Sequence, residues 1–141
     1  MDLCLKYSSI SSLQVVFNLL EQEAAKELLS LSHQKGIGII ARVPLARGLL
    51  TQKMAVQTGP PINRNRLRIA KANIEQLSLL LNEKMRTLPQ TAIRFVLHHP
   101  QVSVVIPGTR TVKHLEENAT TLWVPPLTKE ELEKLTLLFS S

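Results

Sequence analysis

Acidic, aromatic and thiol chemistry are all thin in this chain of 141 residues, which has one cysteine, one tyrosine and one tryptophan. The only aspartate is Asp2, and Cys4 and Tyr7 lie close behind it. A lone cysteine excludes an internal disulfide framework and a thiolate zinc site, as is usual in a reducing compartment, so a cytoplasmic location is expected. Reactions that need a central aspartate or tyrosine have no residue to run on. Aromatic residues make up 4% of the chain, too few for the stacking platforms of single-strand nucleic-acid binders. No apolar run reaches the roughly 18 residues of a membrane span. The opening Met1-Asp2-Leu3-Cys4-Leu5-Lys6 lacks the basic-then-apolar order of a secretory signal. His33, His98, His99 and His114 show no metal-ligand spacing with carboxylates or thiolates; at helix ends they read as caps or surface groups, and no metal is expected.

Acid is also missing locally. With 17 Lys and Arg against 11 Asp and Glu the net charge is +6, yet nothing acidic stands between Glu27 and Glu75. That interval holds Lys35, Arg42, Arg47, Lys53, Arg64, Arg66, Arg68 and Lys71. Such a block attracts anions, phosphate above all, or else forms a solvated basic face.

What is present is a core-forming chain, 44% hydrophobic and of one domain's length. Leu13–Asn18, Ile37–Ala41 and Val102–Ile106 are short β-branched runs, each expected to be a strand buried on both faces. Between the first two, Glu23–Leu31 has the apolar stripe of a helix, closed by Lys35-Gly36. Strand, helix and strand within about thirty residues make a βαβ unit with parallel strands. A long loop follows, then helix signals over Arg66–Asn82, in which Leu77 and Leu81 belong to the packing face. Thr87-Leu88-Pro89-Gln90 is a capping box that opens a helix to about His98. Thr111 caps a helix from Val112 to about Leu122, and Thr128-Lys129-Glu130-Glu131 starts the last one. Three parallel strands are too few to close a barrel and leave two unpaired edges.

Three ordered segments carry a resemblance: Gln14-Val15-Val16-Phe17-Asn18-Leu19-Leu20, Gly38 through Thr51 with its core Pro44-Leu45-Ala46-Arg47-Gly48-Leu49, and Val102 through Arg110. In order and spacing they resemble consecutive signatures of the aldo-keto reductase family, over about residues 13–138. The resemblance implies an α/β fold, the C-terminal half of a TIM (β/α)8 barrel: its sixth to eighth parallel strands, out of a barrel that takes about 250 residues. It implies that residues 1–141 form a partial NADP-dependent oxidoreductase domain lacking the N-terminal half of the barrel. The family's general-acid tyrosine and its lysine, aspartate and histidine partners belong to that other half and have no counterpart here, so no catalytic residue is assigned and the chain alone is expected to be inactive. Tyr7 reads as a packing residue.

The same resemblance implies the cofactor side of the site. Gln14 corresponds to the residue that hydrogen-bonds the nicotinamide carboxamide, which suits an amide that both donates and accepts. Arg42 stands where many members have an aromatic that stacks on the nicotinamide. Pro44, Leu45, Arg47, Gly48 and Leu49 correspond to the loop around the pyrophosphate, where main-chain N–H groups meet anionic oxygens. Gly108, Thr109, Arg110, His114, Glu117 and Asn118 match the segment gripping the adenosine end, with the helix from Val112 aiming its N-terminus at a phosphate. Gly108 replaces a frequent lysine and His114 a frequent arginine or glutamine, so the cofactor is read as NADP with NAD as the alternative. Lys113, Glu116 and Glu117 also fit a solvated helix face. The implied partners are a nicotinamide cofactor and either a separate N-terminal half-barrel or a second copy, with no membrane and no nucleic acid. A small basic nucleic-acid-binding module built on Arg64, Arg66, Arg68 and Lys71 is the remaining alternative, without a helix-turn-helix, zinc or stacking-aromatic motif beside it.

Overall fold

The computed structural model describes residues 9–51, 68, 71–77 and 85–139. Tyr7, Cys4, Lys53, Arg64, Arg66 and Leu81 lie outside the described residues, as does much of the expected Arg66–Asn82 helix; within it, residues 71–77 are helical.

Three strands, β1 (Ser12–Val16), β2 (Gly38–Arg42) and β3 (Val102–Ile106), form one parallel sheet in the order β1-β2-β3. The expected strand Leu13–Asn18 therefore begins and ends earlier, because Asn18 leaves the ladder to pair with Glu21 in a turn. Its side-chain oxygen accepts from the Leu20 and Glu21 amides at 2.9 and 3.0 Å, an Asx turn that competes with strand continuation. The expected Glu23–Leu31 helix is two pieces, α1 (Glu23–Lys26) and α2 (Leu28–Gln34), broken where Glu27 leaves helical geometry at φ −131°. Beyond the break α2 buries Leu28, Leu29 and Ser32. It ends in a Schellman arrangement: Ile37 N–H donates to the Ser32 carbonyl at 2.9 Å and Gly36 N–H to the His33 carbonyl at 3.1 Å, with Gly36 at φ +67°.

The capping box at Thr87 and Gln90 forms as expected and opens α3 (Leu88–Leu97). Thr111 caps α4 (Val112–Ala119), which tightens into a 3-10 turn over Thr120–Trp123 rather than continuing as one helix. The Thr128 box holds the start of α5 (Lys129–Phe139). Two arginines fasten the intervening segment: Arg94 donates to the carbonyls of Leu122 and Val124, and Arg86 to those of Pro125 and Pro126 and to the Glu131 carboxylate.

One core lies on one side of the sheet. Val15, Ile39, Ala41 and Val102 meet Leu28 and Leu29 of α2, Ala92, Phe95 and Val96 of α3, and Leu135 and Phe139 of α5. Burying a Phe or Leu of this kind contributes about 1.5–3 kcal/mol. The opposite face departs from the expectation of strands buried on both faces: Gln14 and Arg42 are exposed, Val104 is 47% and Ile106 41% exposed. His99 also departs from its expected surface role. Its ring sits 4.8 Å from that of Phe17 and 5.2 Å from that of Phe95, because the end of α3 lies beside Phe17, the residue that follows β1.

Candidate functional site

In a parallel sheet all C-terminal strand ends share one edge, and here Val16, Arg42 and Ile106 are paired across it in register. Arg42 is therefore the last ladder residue of β2, exposed, with the loop Val43–Thr51 behind it, and Ile106 leads into Pro107–Thr111 beside it. Gln14 sits one alternation below the edge, opposite Ile40, which is itself opposite Val104; all lie on the face away from the core. Gln14 and Arg42 thus share one face of the sheet, with the loops after β2 and β3 starting at its edge.

The loop after β2 is held in unusual backbone. Val43, Ala46 and Arg47 have φ of 57°, 46° and 55°, and Gly48 has 93°. Left-handed geometry at non-glycine residues costs of order 1–3 kcal/mol each, so the surroundings must impose it. A buried amide lies against the start of this loop: Asn18 Nδ2 donates to the Val43 carbonyl at 3.0 Å and to Glu21 Oε2 at 2.9 Å. Glu21 Oε1 in turn lies 3.7 Å from Arg47 Nη1. Inside the loop, Gly48 N–H donates to the Leu45 carbonyl and Leu49 N–H to that of Ala46, while Thr51 Oγ1 caps the Gly48 carbonyl at 2.7 Å. Pro44 and Leu49 are buried and Leu45 packs on the core, so what this loop offers a ligand is main chain plus the half-buried Arg47.

After β3, Gly108, Thr109 and Arg110 are exposed, and so are Lys113 and His114 on α4. Thr111 Oγ1 accepts from the His114 amide at 3.2 Å, which satisfies one of the free N–H groups at the start of α4. Glu117 is half-buried, and its carbonyl receives Gln90 Nε2 at 3.3 Å and Thr120 Oγ1 at 3.0 Å, pinning α4 to α3. Asn118 is 8% exposed, and its Nδ2 has no hydrogen-bond partner among the described residues. A buried amide hydrogen without an acceptor costs about 1–3 kcal/mol, a deficit that a ligand acceptor would remove.

Lys35 lies at the opposite end of β2 from Arg42, so the basic block does not converge on the edge as a whole; Arg42 ends β2 and Arg47 stands in the loop behind it. Asn18 and Glu21 are absent from the sequence-predicted site, although the Asn18-Leu19-Leu20-Glu21 turn signature was the available signal. Among the described residues no three of His, Cys, Asp or Glu are placed to hold a metal ion, and no helix is long and apolar enough to cross a membrane.

A parallel sheet with helices packed on it and loops at its C-terminal edge defines an α/β class of fold. Comparison with known proteins is more specific: the description "Aldo/keto reductase family" matches residues 1–138, and this chain belongs to that family. It is 28% identical over 138 residues to the uncharacterized oxidoreductase YqkF of Bacillus subtilis, covering 92% of this chain and 43% of that protein. It is 34% identical over 115 residues to a chloroplastic pyridoxal reductase of Arabidopsis thaliana, covering 77% of this chain and 31% of the relative. The solved aldo-keto reductase AKR11C1 from Bacillus halodurans, in apo and holo forms, superposes with a TM-score of 0.81 at 26% identity, over 98% of this chain and 46% of its own. The chain spans less than half the length of these proteins.

Proposed function

We propose that the chain is the C-terminal half of an aldo-keto reductase barrel and carries the dinucleotide-binding side of an NADP-dependent carbonyl reductase, with NAD as the alternative cofactor. Belonging to a family of reductases supports the oxidoreductase class. The observation that carries the cofactor reading is Asn118, whose buried, unpartnered Nδ2 stands on the helix that follows the exposed Thr109 and Arg110. An adenine ring nitrogen is an acceptor of the kind that amide lacks. Arg110 and the start of α4 would meet phosphate, the Val43–Thr51 loop the pyrophosphate, and Gln14 with Arg42 the nicotinamide. When bound, the cofactor supplies the hydride. The general acid would come from the N-terminal half of the barrel, so residues 1–141 alone are read as inactive toward carbonyl substrates.

The sheet face away from the core favours a second, compatible reading, a split barrel completed by a separate N-terminal half. Ile40, Val104 and Ile106 are apolar on that face, as expected of strands whose inner face meets the rest of a barrel.

Titration against 2′-phospho-AMP and AMP tests the cofactor reading. Arg110 is exposed, so its charge-assisted contact is worth about 1 kcal/mol, or a preference of about fivefold for the 2′-phosphate. The wild type is expected to show that preference and Arg110→Ala to lose it. Equal affinities for both nucleotides in both proteins would remove Arg110 from the site. Activity is tested by NADPH consumption with an aldehyde panel: none is expected from residues 1–141 alone, and turnover at the rate of ordinary family members would refute the half-barrel assignment of the chemistry.

A further inference from the structure

Asn18 is wholly buried at the end of β1, and its amide faces two ways. The oxygen accepts from the Leu20 and Glu21 amides and makes the local turn; the nitrogen reaches across the sheet edge, 25 residues along the chain, to the Val43 carbonyl. The second hydrogen on that nitrogen goes to Glu21 Oε2, leaving Oε1 directed at Arg47. Val43 is the first of the left-handed residues of the loop, and a β-branched residue is poorly suited to φ 57°. Arg47, the last non-glycine one, is held at the other end by Glu21. The main-chain link from Phe17 N–H, at 3.4 Å, ends on the Arg42 carbonyl, one residue before the left-handed stretch begins.

We propose that Asn18 is a positioning residue: through the two hydrogens of its amide it sets the strained Val43–Leu50 loop and, by way of Glu21, the direction of Arg47, so that the loop presents its ligand-facing shape before any ligand binds. The acceptor side of the same amide serves only the turn. The two roles separate chemically, because Asn18→Asp keeps the acceptor for Leu20 and Glu21, removes both donors, and puts a carboxylate against the Val43 carbonyl and the Glu21 carboxylate.

Amide hydrogen exchange on Asn18→Asp tests this without a ligand. The amides of Ala46, Gly48, Leu49 and Leu50 are expected to exchange about tenfold faster than in the wild type, while those of Leu20, Glu21 and α3 keep their rates. Unchanged loop exchange, or the same acceleration everywhere, would overturn the proposal, the latter by reducing Asn18 to a core residue. Asn18→Ser, which retains a short acceptor for the turn and is one bond too short to reach Val43, carries the same expectations should the aspartate variant not fold. A ligand arm rests on the dinucleotide reading above. Asn18→Asp should weaken NADPH about tenfold and leave 2′-phospho-AMP, which needs only the 108–118 segment, unchanged. Equal weakening of both ligands counts against Asn18. Absence of NADPH binding in the wild type counts against the dinucleotide reading, and the exchange pattern then decides Asn18 by itself.

Discussion

The imidazole of His99 stands edge-on to the ring of Phe17, with centroids 4.8 Å apart and the planes at 90°. Phe95 closes on it from α3 at 5.2 Å, and its Nδ1 lies 3.0 Å from the Phe95 carbonyl. Burial in this aromatic corner holds the His99 pKa below its ordinary 6.5; the Phe95 carbonyl opposes the shift and the neighbouring His98 adds to it. The unfolded chain therefore binds a proton at a pH where the folded chain still refuses it.

From that sign, stability is expected to fall as the pH drops below about 6.5 and to level off beneath the folded value. His99→Gln removes the titration. Urea midpoints at pH 7.5 and 5.5 measure it: the wild type should lose more between the two than the variant, and equal losses would contradict the assignment.

Arg86 has a side chain only 3% exposed, spent on the Pro125 and Pro126 carbonyls and on Glu131. Arg86→Ala leaves those carbonyls short of a donor while Glu131, 26% exposed, recovers some water. The expected cost is about 2–4 kcal/mol in denaturant unfolding, well above that of a surface arginine. A loss below about 0.5 kcal/mol would show that the 122–126 segment is fastened by other means.

Gly36 and Gly108 make a contrasting pair. A Cβ at either meets nothing within 4 Å, but only Gly36 has a positive φ, at 67°. Gly36→Ala should therefore cost about 1 kcal/mol through the backbone alone, and Gly36→Asn less. Gly108→Lys should fold normally and raise affinity for 2′-phospho-AMP over AMP, since it restores a cation beside Arg110. Thermal melts measure the first and nucleotide titration the second; a destabilised Gly108→Lys would mean the open space is not available to a side chain.

The exposed Val104 and Ile106, with β1 and β3 at the two edges of the sheet among the described residues, should make residues 1–141 associate when present alone. Sedimentation over a concentration series should show growing assemblies. The double variant Val104→Lys, Ile106→Glu should reduce them, and an unchanged monomer in both proteins would remove the face as the cause.

The local devices were legible because each is written within a few residues. The Thr87 and Thr128 capping boxes, the Thr111 cap and the Lys35-Gly36 stop all form where side-chain spacing placed them. The end of β1 and the break at Glu27 were not, since a strand's apolar run says nothing about an Asx turn that outcompetes it, and a helix stripe does not mark where the chain must swing to bring Leu28 and Leu29 onto the sheet. His99 was misread for a similar reason: its neighbour Phe17 is distant in sequence and comes near only when the end of α3 packs beside the segment that follows β1.

By itself the sequence determined the alternation of strands and helices and the local caps, because periodicity and turn chemistry are local, while Gln14, Arg42, Arg47 and Arg110 were singled out by the family resemblance of the segments that hold them. Only the tertiary structure decided that Pro44 and Leu49 turn into the core, that Asn118 is buried with a hydrogen to spare, that Lys35 lies at the far end of β2, and that one amide at Asn18 governs the loop beginning at Val43. Each of these depends on which segments the sheet register sets side by side, and register is fixed by the packing of a whole core, not by any window of the chain.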